Sequence, residues 1–103
     1  MQPLRWARVV YARQAYAMIQ TMGNEHRRLF DAAIAAIKNG PDDGQFVAKE
    51  ADGTIIRQFS AQDVHVQYAV KFWTIGRVLL VTLIEIRHWE PLDDSPPLGT
   101  RLN

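Results

Sequence analysis

Cysteine is absent from the 103 residues of this chain, which excludes a disulfide framework, thiolate chemistry and a cysteine-based zinc site. The N-terminal stretch MQPLRWARVV lacks the apolar centre of a signal peptide. The longest apolar run, near residues 78–84, falls far short of the ~20 residues that a membrane-spanning helix needs. Together these absences predict a cytoplasmic protein.

An excess of charge of one sign is also absent, because 12 Lys and Arg residues are balanced by 11 Asp and Glu residues. The electrostatic field of the whole molecule is therefore weak. A role in nucleic-acid binding would have to come from a local basic patch.

The length and the apolar fraction of 48% are those of one globular domain. We predict a single domain over residues 1–90. Residues 91–103, PLDDSPPLGTRLN, contain three prolines and little to bury, so we expect a flexible C-terminal tail.

Two segments near the N-terminus have helical character. Residues 8–22 are rich in helix-forming types, and residues 25–39 place apolar side chains at the spacing of an amphipathic helix. Gly23 is expected to end the first helix and Asn24 to cap the second. The sequence thus predicts a helical hairpin, with residues 2–6 as an optional edge strand.

After Pro41 the apolar pattern changes to that of strands. The segments QFVAKE, TIIRQFS, VHVQYAVK and RVLLVTLIEIR are separated by short turns, which predicts an antiparallel meander. The whole pattern predicts an α+β fold in which the N-terminal helical hairpin packs on one face of a twisted antiparallel β-sheet.

The alternation of VHVQYAVK divides its residues between the two faces of the sheet. The apolar face is expected to carry Val64, Val66, Tyr68 and Val70, and the other face His65, Gln67, Ala69 and Lys71. In the preceding strand, Arg57 should share the core-facing side if Phe59 faces the core, with Ile56 and Gln58 on the opposite side.

This order of elements resembles that of the RelE/ParE toxin superfamily of bacterial toxin–antitoxin pairs. The resemblance covers residues 3–92, and it is carried by the helical hairpin that stops at Asn39-Gly40-Pro41, by VHVQYAV at residues 64–70 and by IRHW at residues 86–89. It implies a RelE/ParE-like fold and a partner antitoxin that wraps the toxin. It also implies one of two activities, which are ribosome-dependent cleavage of mRNA and inhibition of DNA gyrase.

Cleavage of RNA by attack of the 2′-hydroxyl needs a base, an acid and a cation to stabilise the phosphorane, and it requires no metal and no other cofactor. If the last two strands pair antiparallel, His65 lies beside residues 86–88. We therefore predict His65, Arg87 and His88 as catalytic residues. Trp89 is a candidate for stacking on a base, and Arg57 is a further candidate for substrate binding.

Two other functions remain open at this point. His65 stands where the superfamily usually has an arginine, and Arg57 is the only basic residue of its strand, which favours a non-catalytic relative. Such a relative would be a gyrase inhibitor of the ParE type or a degenerate toxin fold that binds protein. A small self-associating α+β protein unrelated to toxins is the third interpretation, because fold alone does not determine function.

Overall fold

The computed structural model describes residues 6–87 and shows an α+β fold with two helices on a five-stranded sheet. In chain order the elements are β1 (Trp6–Tyr11), α1 (Arg13–Thr21), α2 (Asn24–Asn39), β2 (Gln45–Lys49), β3 (Ile55–Ala61), β4 (Val64–Trp73) and β5 (Gly76–Ile86). The strand order in the sheet is β1-β5-β4-β3-β2. No helix among these residues is long and apolar enough to cross a membrane.

The first helical segment was predicted too long. Residues 6–11 form β1 and α1 begins only at Arg13, so the prediction of helix from residue 8 is wrong. The β-branched pair Val9–Val10 and Tyr11 favour an extended chain, and pairing with β5 outweighs the helix propensity of the neighbouring residues. The optional edge strand therefore lies later than expected, and residues 1–5 lie outside the described part.

The sheet is mixed rather than purely antiparallel. β2, β3, β4 and β5 form the predicted antiparallel meander, whereas β1 pairs parallel with β5. The connection from β1 to β5 includes both helices and the strands β2, β3 and β4, which is ample length for the crossover that a parallel pair needs.

The second helix follows the prediction closely, with Glu25 in its first turn and Lys38 in its last, as the helix dipole favours. Its cap was predicted wrongly. Asn24 is already the first helical residue, Gly23 is the N-cap, and no side chain caps the helix.

Both helices pack on the same face of the sheet, which we call the helix face. The fully buried side chains there come from both helices and from β4 and β5: Ala15, Phe30, Ala33, Ile37, Val64, Val66, Tyr68, Leu79, Val81 and Ile84. We call the opposite side of the sheet the far face. It carries His65, Gln67, Ala69 and Lys71, which confirms the predicted division of β4.

A β-bulge interrupts the pairing of β4 with β5. Gln67 lies opposite Leu83 and Tyr68 lies opposite Val81, so Thr82 is the extra residue of β5. The hydroxyl of Thr82 donates a hydrogen bond to the Gln67 carbonyl at 3.2 Å. The bulge changes the parity of β5, which allows both Val81 and Ile84 to face the helices.

Next to this bulge, the side chain of Gln14 makes the hydrogen bonds that a neighbouring strand would otherwise make. β1 ends at Tyr11, and beyond that point β5 has no strand neighbour on that side among the described residues. Gln14 Nε2 donates to the Ile84 carbonyl at 2.9 Å, and the Ile84 N–H donates to Gln14 Oε1 at 3.0 Å. One amide side chain therefore satisfies both backbone groups of Ile84.

We expect Gln14→Ala to lower the free energy of unfolding by about 1–3 kcal/mol, because it removes two hydrogen bonds and leaves a backbone donor and acceptor unpaired. Chemical denaturation measures the change. Gln20→Ala is the matched control, since Gln20 is an exposed glutamine of the same helix and should change stability by less than about 0.5 kcal/mol. Equal effects for the two variants would contradict this role of Gln14.

Tyr68 connects the sheet to the loop that follows α2. Its ring is 1% exposed, and its hydroxyl donates a 2.7 Å hydrogen bond to the Pro41 carbonyl. A Cβ at Gly44 would collide with this hydroxyl, so the loop can pass Tyr68 only where residue 44 is glycine. Burial raises the pKa of Tyr68 above its usual 10.0.

A raised pKa means that the folded state retains the phenolic proton at a pH where the unfolded chain has released it. Stability is therefore lost as the pH rises above about 10. We expect Tyr68→Phe to flatten this alkaline loss while lowering stability near neutral pH by about 1 kcal/mol. Burial also raises the pKa of Tyr11, so part of the decrease in stability with rising pH should remain in the variant. Denaturation curves between pH 8 and 11 measure both effects, and an unchanged slope would contradict the assignment.

Candidate functional site

His65 lies on the far face of the sheet, in contact with a serine of the neighbouring strand. The register of β3 and β4 places His65 opposite Ser60, and His65 Nδ1 lies 2.6 Å from Ser60 Oγ. This hydrogen bond fixes the orientation of the imidazole ring. His65 Nε2 is the remaining ring nitrogen that can exchange a proton with a ligand.

The other neighbour of His65 in the sheet is acidic. The bulge at Thr82 places Glu85 directly opposite His65, and residues so paired have Cβ atoms about 5 Å apart. Ser60, His65 and Glu85 therefore form one row of side chains across three strands, which we call the His65 row.

Arg87 lies next to this row, as the antiparallel pairing predicted. Its N–H donates to the Asp63 carbonyl at 2.8 Å, and its Nη2 lies 3.1 Å from Glu85 Oε1. The Arg87 side chain is 70% exposed, so its guanidinium can reach a bound anion. His65 and Arg87 are thus brought together through Glu85, which lies directly opposite His65.

The adjacent turn is connected to the helical layer. Residues 62–63 join β3 to β4, and Gln62 takes the left-handed conformation with φ of 55°. His26, in the first turn of α2, lies 3.0 Å from Asp63 Oδ2 through its Nε2. This contact and the bond from Arg87 to the same residue hold the end of β5 against the turn that precedes His65.

Arg57 is not part of this arrangement. It lies on the helix face beside Phe59, as the alternation predicted, and its Nη1 donates to the Gly44 carbonyl at 3.0 Å. Because His65 is on the opposite face, Arg57 cannot bind the same ligand group as the His65 row. The predicted role of Arg57 in substrate binding remains a prediction.

Arg57 instead lines a cavity of about 230 Å³ on the helix face. The wall also includes the loop after α2, the turn between β2 and β3, the start of β3 and the middle of β4, with Pro41, Asp42, Gly53, Thr54, Ile55, Tyr68 and Val70. Positive and negative groups both reach this cavity, so it does not favour an anion.

His88 and Trp89 lie outside the described residues, so their predicted roles remain predictions. No group of three or more His, Asp or Glu side chains within residues 6–87 is arranged to hold a metal ion.

Ser60 and Glu85 are the residues that sequence reasoning missed. Ser60 appeared only as the end of a strand, and Glu85 as a polar residue in an apolar run. The segment of β5 alone gives no signal for Glu85, because residues 78–81, 83 and 84 are all apolar and only their burial and pairing reveal the bulge between Val81 and Ile84. That bulge decides whether Ile84 or Glu85 faces His65.

A row of three glutamines lies next to the His65 row on the far face. Gln45, Gln58 and Gln67 occupy paired positions on β2, β3 and β4, and we call them the glutamine row. Gln67 Nε2 donates to Gln58 Oε1, and Gln58 Nε2 donates to Ser60 Oγ, both at 3.4 Å. Hydrogen bonds thus run from Gln67 to His65.

Comparison with known proteins identifies no relative. No protein-family model matches the chain, and neither a curated protein nor a solved structure matches it. Function has to be inferred from the residues themselves.

Proposed function

We propose that this protein is the toxin of a bacterial toxin–antitoxin pair and cleaves mRNA on the ribosome, as RelE-type toxins do. The observation that carries the proposal is the His65 row with Arg87 beside it. It provides an imidazole, a carboxylate and a guanidinium on one face of the sheet. These are the three kinds of group that metal-free cleavage of RNA requires.

In the proposed reaction the 2′-oxygen of the RNA attacks the adjacent phosphorus, and the bond from phosphorus to the 5′-oxygen breaks. The carboxylate of Glu85 accepts the proton of the 2′-hydroxyl. Protonated His65 donates Nδ1–H to Ser60 Oγ and gives its Nε2 proton to the departing 5′-oxygen. Arg87 stabilises the charge of the phosphorane. The products are a 2′,3′-cyclic phosphate and a 5′-hydroxyl.

The order of the elements also supports the proposal. A first strand, a helical hairpin and an antiparallel meander follow one another as the resemblance to the RelE/ParE superfamily implies. The proposal includes a cytoplasmic location, a cognate antitoxin as partner, and the ribosome with its mRNA as target. In the proposal His88 supplies a second imidazole and Trp89 a base contact, as the sequence predicts.

We expect His65→Ala to lower the rate of ribosome-dependent mRNA cleavage by ~10²–10⁴-fold, because the leaving oxygen then lacks its proton donor. Cleavage is measured in a purified translation system by mapping the 5′ ends of the fragments. Ser60→Ala keeps the imidazole but removes the hydrogen bond that orients it, so it should lower the rate less than His65→Ala does. Equal activity of His65→Ala and the wild type would exclude His65 from the reaction.

We expect Arg87→Ala to lower the same rate by ~10²–10³-fold through loss of transition-state stabilisation. Glu85→Gln should reduce the rate as well, because the amide cannot accept the 2′-proton. Arg28→Ala is the matched control, since it removes an exposed arginine of α2, which packs on the opposite face of the sheet from the His65 row. A fall of similar size in the control would indicate that general charge, and not Arg87, determines the rate.

A second function is favoured by a different observation. The hairpin between β4 and β5 exposes Phe72, Trp73 and Ile75, with 70%, 47% and 58% of their surface accessible. Adjacent exposed apolar residues of this size commonly mark a protein-binding surface. The alternative is therefore a non-catalytic protein, either a gyrase inhibitor of the ParE type or a protein-binding module.

Substitution of the hairpin distinguishes the two functions. If the protein inhibits gyrase, Phe72→Ser with Trp73→Ser should abolish inhibition of DNA supercoiling, whereas His65→Ala should leave it intact. If the protein cleaves mRNA, supercoiling should be unaffected by the wild type. Thermal denaturation of the double variant checks the fold, which should persist because both side chains are exposed.

A further inference from the structure

The glutamine row lies at a defined distance from the proposed reaction centre. Gln58 is two residues from Ser60 along β3, and Gln67 is two residues from His65 along β4. Residues two apart on a strand share a face and are separated by about 7 Å. The glutamine row is therefore one row away from the His65 row, a step comparable with one nucleotide of an extended RNA strand.

The amides of Gln58 and Gln67 make only long hydrogen bonds within the protein. Gln58 and Gln67 are both partly buried, and the hydrogen bonds between them and to Ser60 are all 3.4 Å long. Bonds of this length are weak, so exchanging them for bonds to a ligand costs little. Gln67 Oε1 has no hydrogen-bond partner among residues 6–87, so an acceptor is available next to the donors.

A glutamine amide combines a donor and an acceptor in one plane, which matches the paired donor and acceptor of adenine. Unstacked bases of single-stranded RNA present both their Watson–Crick and Hoogsteen edges to side chains. Leu83, which is partly exposed, lies opposite Gln67 on the same face. The amides therefore lie beside an apolar side chain that can contact the face of a base.

Cationic side chains also lie on the far face, on the side of the glutamine row away from His65. Arg8 and Lys71 lie on either side of Val78 in the sheet. Arg8 is exposed, whereas the Lys71 ammonium donates to Thr54 Oγ1 at 2.7 Å and lies 3.4 Å from Asp52 Oδ2. Lys71 is six residues from His65, or about 20 Å along the strand. Exposed arginines at both ends of the far face, Arg87 at one and Arg8 at the other, favour an RNA strand that runs parallel to β4.

We propose that Gln58 and Gln67 form a base-recognition site for adenine in single-stranded RNA. The place of the base, one nucleotide from the cut, rests on the proposed function. The recognition of adenine by the two amides is independent of that function, because a binding measurement without cleavage can test it.

The binding test uses the full chain and short RNA strands with 2′-O-methyl groups, which cannot undergo attack by the 2′-oxygen. Strands that differ only in one central base are compared by fluorescence anisotropy at fixed salt. We expect the wild type to bind the adenine strand about tenfold more tightly than the uracil or cytosine strand. The double variant Gln58→Leu, Gln67→Leu should bind all three with similar affinity.

Gln20→Leu is the control, since it makes the same change at an exposed position of α1 and should keep the preference for adenine. The same three proteins are then compared by sequencing the cut positions on ribosome-bound mRNA. Loss of the adenine preference in the double variant, with the overall rate within about threefold of the wild type, is the expected result.

The outcomes separate the two proposals. Preferential binding of adenine without any cleavage would support the recognition site and refute the proposed reaction. Cleavage whose base preference is the same in the double variant and the wild type would refute the recognition site and leave the reaction standing. A wild type that binds all three strands equally would also refute the recognition site.

Discussion

The β-bulge at Thr82 is the constraint on which the site and much of the core depend. If the register of the β4–β5 hairpin continued without interruption, His65 would lie opposite Ile84 and the apolar end of β5 would turn away from the helices. One extra residue restores Ile84 and Ile86 to the helix face and places Glu85 opposite His65. Burial of large aliphatic side chains, at roughly 1.5–3 kcal/mol each, favours this register strongly. The polar row is thus a consequence of core packing.

The bulge also explains why Gln14 is needed. A bulged strand is difficult to extend with a regular neighbour, and β1 ends before this point. The amide of Gln14 bonds to Ile84, the second residue after Thr82, and so connects α1 to the part of β5 that leads to Glu85 and Arg87. The helical layer holds the other side of the site through His26 and Asp63. Contacts made by the two helices therefore position the polar side chains of the far face.

Much of this arrangement could be predicted from the sequence, and the failures have identifiable causes. The alternation in residues 64–71 assigned His65, Gln67 and Tyr68 to the correct faces, and antiparallel pairing correctly brought His65 near Arg87. The first strand was predicted too early, and residues 8–11 were assigned to a helix, because the strand character of β1 depends on a partner 70 residues away in the chain, whereas helix propensity is local. Ser60, Glu85 and the glutamine row emerge only from the registers, which are not visible in any one segment.

The central claim is that the far face of the sheet is the surface that binds RNA. It is tested most directly by following the backbone amide signals of the isolated protein by NMR while a 2′-O-methyl RNA strand is added. The account predicts that the signals that shift belong to residues 58–67 of β3 and β4 and to the end of β5 around Glu85 and Arg87. Shifts confined to α1 and α2, or no shifts at saturating RNA, would contradict it.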